Sequence, residues 1–161
     1  VTTTIVPVAC THSAFDQVAA LFDDYRVHYG RPSSPEVTRS WLHEQLRQHR
    51  ICAAAAVQAD HVCGFITLTI MPASLMLGTV WSIRDLYVAP RYRRSGIANA
   101  LLQHTIHDAR AAGALRVSLQ TEADNIPALT LYTDVGFRPV TGLQILNLSL
   151  GSTPQDPGDT T

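Results

Sequence analysis

Hydrophobic and polar positions along this chain follow two different periods, and the places where the period changes mark out its elements. Residues 4–9 read as a short strand. Thr11 or Ser13 can then cap a helix in which Phe15, Val18, Ala19, Phe22 and Tyr25 recur at helical spacing, stopped by Gly30, Pro32 and Pro35. A second helix is predicted over 36–50, with Val37, Trp41, Leu42 and Leu46 along one face. Residues 51–58 and 62–71, joined by the tight turn Ala59-Asp60-His61, read as a hairpin. Another strand runs over about 79–88 and closes at Pro90. Gly96 opens a helix over 97–112, with Ile97, Leu101, Ile106 and Ala109 recurring along it. Gly113 suits its end, since glycine tolerates the left-handed backbone found there. Residues 115–120 form a further strand and 127–135 a short helix ending at Gly136. The alternation in Leu146-Asn147-Leu148-Ser149-Leu150 predicts a last strand with one face buried.

Helices interspersed with hairpin strands imply an α/β fold, a mixed sheet covered on both faces, because each helix has one apolar stripe to bury. At 161 residues, the chain is expected to hold one domain over 1–150 and a disordered tail over 151–161, rich in Gly, Pro, Asp and Thr. Apolar residues make up 46% and charged ones only 16%, which favours a well-filled core.

Twelve basic and thirteen acidic side chains leave a net charge of −1, so no chain-wide positive field exists to hold nucleic acid or an anionic membrane. Neither partner is expected. All twelve cations are Arg, which removes lysine nucleophiles, Schiff-base chemistry and the P-loop lysine. Cys10, Cys52 and Cys63 include no C-x-x-C pair, so neither a disulfide framework nor a zinc ribbon is indicated. Cys52 and Cys63 lie in apolar stretches and are expected to be buried thiols in a reducing cytoplasm. The start, Val1 to Val6, lacks the charge and the longer apolar stretch of a secretory signal. The longest apolar run, 51–57, is far shorter than the ~20 residues that span a bilayer. His104 and His107 lie three apart on a helix without an evident third ligand, so no metal is expected.

Four of the twelve arginines fall within 84–94, and Arg91, Arg93 and Arg94 surround the turn before Gly96. A helix N-terminus carries unpaired N–H groups and about half a positive charge, so it attracts phosphate. Gly96 would let a diphosphate approach the backbone, Ala98 has a small side chain next to it, and Ser95 could cap the helix or donate to a phosphate oxygen. A strand-to-helix turn with exposed arginines has the same composition.

The wider string separates the two readings. Asp85-Leu86-Tyr87-Val88-Ala89-Pro90-Arg91-Tyr92-Arg93-Arg94-Ser95-Gly96-Ile97-Ala98 resembles the acetyl-CoA-binding motif of the GNAT N-acetyltransferases, with core Arg/Gln-x-x-Gly-x-Gly/Ala. Downstream, Thr121 to Ala128, Leu131-Tyr132 and Gly136-Phe137 look like the second half of that pattern, in order and at the family's separation. Upstream, Tyr25-Arg26-Val27-His28-Tyr29-Gly30 is similar to a motif of a branch that includes histone- and polyamine-type acetyltransferases; it also reads as an amphipathic helix end whose aromatics pack on the core.

The resemblance implies a mostly antiparallel sheet in which the strand ending at Val88 splays from the one ending near Gln120. It implies acetyl-CoA as co-substrate, its pantetheine arm paired with the backbone of Leu86, Tyr87 and Val88. Arg93, Arg94, Ser95, Gly96, Ile97 and Ala98 would hold its phosphates, with Asn125 and Ala128 nearby, although Asn125 could instead cap the following helix. Tyr132 would be the general acid. Many relatives carry a basic Glu where this chain has Arg84, so Asp85 is the preferred base, ahead of Glu122, His28 or a water chain. Tyr25, Arg26, His28, Tyr29 and Glu122 would line the acceptor side. The implied reaction is transfer of an acetyl group to a small-molecule amine by direct attack in a ternary complex. A protein N-terminus or lysine as acceptor, and a CoA-binding sensor without turnover, are the alternatives. Pairing into a homodimer through the last strands is permitted by the 146–150 alternation, which core packing explains equally.

Overall fold

A computed structural model of the chain describes residues 1–151. The elements are β1 (Thr4–Pro7), α1 (Phe15–His28), α2 (Pro35–Arg47), β2 (Cys52–Gln58), β3 (His61–Ala73), β4 (Gly78–Val88), α3 (Ile97–Ala111), β5 (Arg116–Ser118) and α4 (Ile126–Val135). The strands form one mixed sheet in sequential order β1 to β5. All neighbours are antiparallel except β4 and β5, which run parallel.

Each face of the sheet has its own core. On one, Phe15, Val18, Leu21 and Phe22 of α1 and Leu42 and Leu46 of α2 pack against Phe65 and Tyr87. On the other, Ile97, Leu101 and Leu102 of α3 pack against Ile66, Ile83 and Val88. Ala59 and Asp60 both adopt positive φ (45° and 64°), so the β2–β3 link is a two-residue turn of the kind whose twist matches hairpin strands.

Several expectations need correction. Neither Thr11 nor Ser13 caps α1; its N-cap is Ala14, whose N–H donates to Nδ1 of His12. Helix α2 spans Pro35–Arg47, shorter at its end than expected, and buries Thr38, Leu42 and Leu46 while Val37 and Trp41 stay exposed. The edge strand over 115–120 shrinks to Arg116–Ser118. Cys63 is buried, but Cys52 is exposed at the start of β2. The last strand is absent: 146–150 has no strand pairing, and Leu146, Leu148 and Leu150 are 86%, 83% and 92% exposed. Beyond Gly151 the predicted tail lies outside the described residues.

Candidate active site

The site begins with an irregularity in β4. Opposite β3, Asp85 faces Thr67 and Ile83 faces Leu68, so Arg84 is an extra, bulged residue. A bulge bends the strand and shifts the phase of its side chains. Ile83 therefore joins the α3 face, Arg84 turns to solvent, and Asp85 shares the α1–α2 face with Tyr87. The Thr67 hydroxyl donates to the Asp85 carboxylate.

The bulge also marks the end of pairing with β5. Parallel partners are Val80 with Arg116, Trp81 with Val117 and Ser82 with Ser118, and none follows. From Ile83 to Val88 the far edge of β4 is therefore open. Ala89 N–H donates to Cys63 at 2.9 Å, and antiparallel bonding alternates along a strand. The N–H and C=O groups of Val88 and Leu86 consequently point into the opening, while those of Tyr87 point to β3. Of the three residues expected to pair with a pantetheine arm, Tyr87 contributes its ring rather than its backbone.

The open edge leads into the N-terminus of α3. Arg94 and Gly96 adopt left-handed φ (59° and 81°), which turns the chain sharply into the helix. No side chain caps it, and the first bond into the helix is Ala100 N–H to Gly96 at 2.9 Å. The N–H groups of the first turn, as at any helix start, have no carbonyl partner within the helix. Ser95 neither caps the helix nor is free for a phosphate, since its hydroxyl donates to the Tyr92 carbonyl. Ile97 is buried, Ala98 half-buried and Arg94 exposed. Arg93 is exposed as well, but its Nε donates to the Val88 carbonyl at 3.0 Å and its guanidinium lies 5.3 Å from the Tyr87 ring centre.

Aromatic rings wall the α1 side. Tyr25 lies 5.7 Å from Tyr87 and 5.1 Å from Tyr29, and His28 lies 5.8 Å from Tyr87. Burial first, then the Asp85 carboxylate beside it, holds the Tyr25 hydroxyl protonated far above the ordinary tyrosine range. Burial also raises Tyr29, with Glu122 and Asp85 adding to the effect and Arg93 opposing it. Tyr132, in α4, is raised by burial and then by Tyr29 and Glu122. Thus Tyr25, Tyr29, Asp85, Glu122, Arg93 and Tyr132 share one electrostatic neighbourhood, although they come from four segments of the chain.

Arg26 and Asn125 are engaged elsewhere. The Arg26 guanidinium bonds Asp23 at 3.1 Å and Thr38 at 3.0 Å. Asp23 is 4% exposed and also accepts from Ser33 Oγ, Ser34 N–H and Thr38 Oγ1, which pins the α1–α2 loop. Those bonds, led by Thr38, hold its pKa at about 2 against the cost of burial. The Asn125 carbonyl oxygen caps α4 by accepting from Ala128 N–H at 3.4 Å, so the capping reading describes it.

Two contributors escaped the sequence reading. Thr67 is fully buried and anchors Asp85. Gly64 has no room for a side chain: a Cβ there would lie 2.8 Å from the Tyr87 carbonyl and 3.3 Å from Ile97. A glycine inside a strand signals close backbone approach, and this was the available sign. Among the described residues no group of three or more potential metal ligands occurs; His104 pairs with Asp108 at 3.2 Å.

An open strand edge running into an uncapped helix start is a way to hold a molecule with a string of amides and a diphosphate. Comparison with known proteins identifies the family. The sequence model of the Acetyltransferase (GNAT) family matches residues 16–137, and the chain belongs to that family. It is an acetyltransferase. It is 30% identical over 125 residues to a protein of Bacillus subtilis (strain 168) named uncharacterized N-acetyltransferase YhfO, covering 78% of this chain and 84% of that one. A crystal structure described as a probable acetyltransferase superposes with TM-score 0.86 at 34% identity, covering 93% of this chain and 99% of the other. A shorter likeness, 35% over 57 residues, joins 35% of this chain to 38% of the [ribosomal protein bS18]-alanine N-acetyltransferase of Escherichia coli (strain K12). No helix of the described residues is long and apolar enough to cross a membrane.

Proposed function

We propose that the chain moves the acetyl group of acetyl-CoA to the primary amine of a small molecule by direct attack within a ternary complex. The observation that carries this reading is the open edge of β4 from Ile83 to Val88, running into the uncapped start of α3. Acetyl-CoA, when bound, supplies the activated thioester. Leu86 offers its backbone N–H and C=O to its amides, as an edge strand offers them to an added strand, while the Val88 carbonyl is held by Arg93. The N–H groups over 94–98 receive its phosphates, and Val88 N–H is the donor for the carbonyl oxygen that gains charge.

Asp85 is the base for the incoming ammonium. It lies on the α1–α2 face, held by Thr67 beside the Tyr25 hydroxyl. The amine nitrogen forms its bond to the carbonyl carbon as the carbon–sulfur bond breaks. Tyr132 gives its proton to the departing thiolate, and its phenolate takes back the surplus proton that the newly acylated nitrogen sheds. Its raised pKa keeps that proton in place until it is needed. His28, Tyr29 and Glu122 line the acceptor side, and Arg26 serves it indirectly by fixing the loop after α1. The aromatic wall, a surface suited to the flanks of a compact amine, supports a small acceptor. The 57-residue likeness to an enzyme acting on a ribosomal protein's alanine favours a protein α-amino group as the second reading.

Release of free thiol from acetyl-CoA, followed with a panel of amines and peptides, tests both. A small amine that gains one acetyl group by mass spectrometry is the expected result. Acetylation of peptides alone selects the second reading, and CoA binding without product from any acceptor overturns both.

A further inference from the structure

One flank of α1 borders an open groove of about 480 Å³, a volume within the range of small-molecule sites. Ala20, Leu21 and Asp24 of α1, Val62 of β3, and Pro90 and Arg91 after β4 line it, and none of them belongs to the active site described above. The floor is apolar, with Leu21 and Val62 buried beneath it. One wall is braced by Gln17, also on the groove. Its Nε2 donates to the Asp60 carbonyl at 3.0 Å and its Oε1 accepts the Val62 N–H at 2.9 Å, which ties α1 to the hairpin turn. The wall carrying Pro90 and Arg91 is a single tight turn, closed by Tyr92 N–H to the Ala89 carbonyl at 2.8 Å.

Two charges of opposite sign line this groove, and the protein neutralises neither. Asp23 accepts bonds from Arg26, Ser33, Ser34 and Thr38. The carboxylate of Asp24, one position on and exposed, takes part in no hydrogen bond or ion pair among the described residues. The exposed Arg91 guanidinium lies 4.7 Å from the Tyr92 ring centre and has no carboxylate partner among the described residues, Asp24 included.

An anion and a cation held apart over an apolar floor are complementary to a molecule that carries both charges itself. We propose that the groove binds a small zwitterion, its ammonium at Asp24, its carboxylate at Arg91 and an apolar side chain over Leu21 and Val62. This is the chemistry of a free amino acid or a short peptide. The planar guanidinium suits a carboxylate because its N–H groups match both oxygens. A ligand with one charge would satisfy one wall only, and a neutral apolar ligand neither.

Calorimetric titration of the full chain without acetyl-CoA tests the proposal and does not depend on the proposed reaction. The probes are leucine, phenylalanine and leucylglycine, each beside its amide and its N-acetyl derivative. A zwitterion is expected to bind with Kd on the order of 1 mM or tighter, and blocking either of its charges should weaken it at least about tenfold. Asp24→Asn and Arg91→Gln should each weaken it to the same degree with little change in Tm, since both side chains are exposed. Ala20→Trp, which fills the groove and leaves both charges in place, should abolish binding. A preference for the amino acids and a preference for the dipeptide both support the site, and each says which source it serves. The proposal is overturned if no zwitterion binds at ~10 mM, or if the blocked derivatives bind as well as their parents. Binding that survives all three substitutions also overturns it, because the ligand then sits elsewhere.

Discussion

On one face of the sheet, α1 and α2 enclose Phe22, Leu42 and Phe65, and Asp23 ties the loop between them with a fully satisfied set of bonds. On the other face, α3 buries its apolar stripe, but α4 and the fringe around β5 remain half open. The proposed chemistry uses both. The acceptor wall of Tyr25, Tyr29 and Tyr87 rests on the closed side, whereas Tyr132 stands on the open one. On the proposed reading the acceptor would meet a fixed surface, while α4, which carries Tyr132, buries none of its residues. Local stability follows buried apolar contact, so α4 should open more readily than α1 or α2.

The largest expected effect is Tyr132→Phe, which should lower kcat about 10²–10⁴-fold with little change in Tm, because the loss is a positioned proton and not packing. Unchanged turnover with a lower Tm would make Tyr132 a packing residue. Leu42→Ala, fully buried on the closed side, should cost about 2–5 kcal/mol in denaturant unfolding, and Leu131→Ala on the half-open side distinctly less. Equal costs would erase the contrast between the two faces. Arg93→Ala should weaken acetyl-CoA binding by about 1.5–3 kcal/mol in calorimetry, since its charged bond to Val88 holds the end of the open edge.

The smallest effect concerns acid. The Asp23 carboxyl is held at about 2, below its ordinary 3.8, so its stabilisation is present above pH ~4 and is lost as pH falls toward 2. Asp23→Asn should cost about 1–3 kcal/mol at neutral pH, and the difference in Tm between the two proteins should narrow on acidification. A difference that stays constant with pH would mean the carboxylate charge contributes nothing.

Much of this was legible in the chain. Helical spacing located α1 and α3, the turn at Ala59-Asp60 located the hairpin, and the string around Gly96 located the family. What escaped detection depends on pairing between distant strands. The bulge at Arg84 cannot be read from alternation within β4, because register is a property of two strands. For the same reason, the partnership of Thr67 with Asp85 had no local sign. The alternation at Leu146 to Leu150 predicted a strand with one buried face, and neither is present, because alternation alone supplies no pairing partner.

The extra residue in β4 has one more implication. Deleting Arg84 would heal the ladder, since Asp85 opposite Thr67 and Ile83 opposite Leu68 would become consecutive pairs. The straightened strand could then go on pairing with the chain beyond Ser118, closing the fork where catalysis is proposed. Such a protein should melt at a higher temperature and turn over nothing: here a flaw in the weave is the doorway.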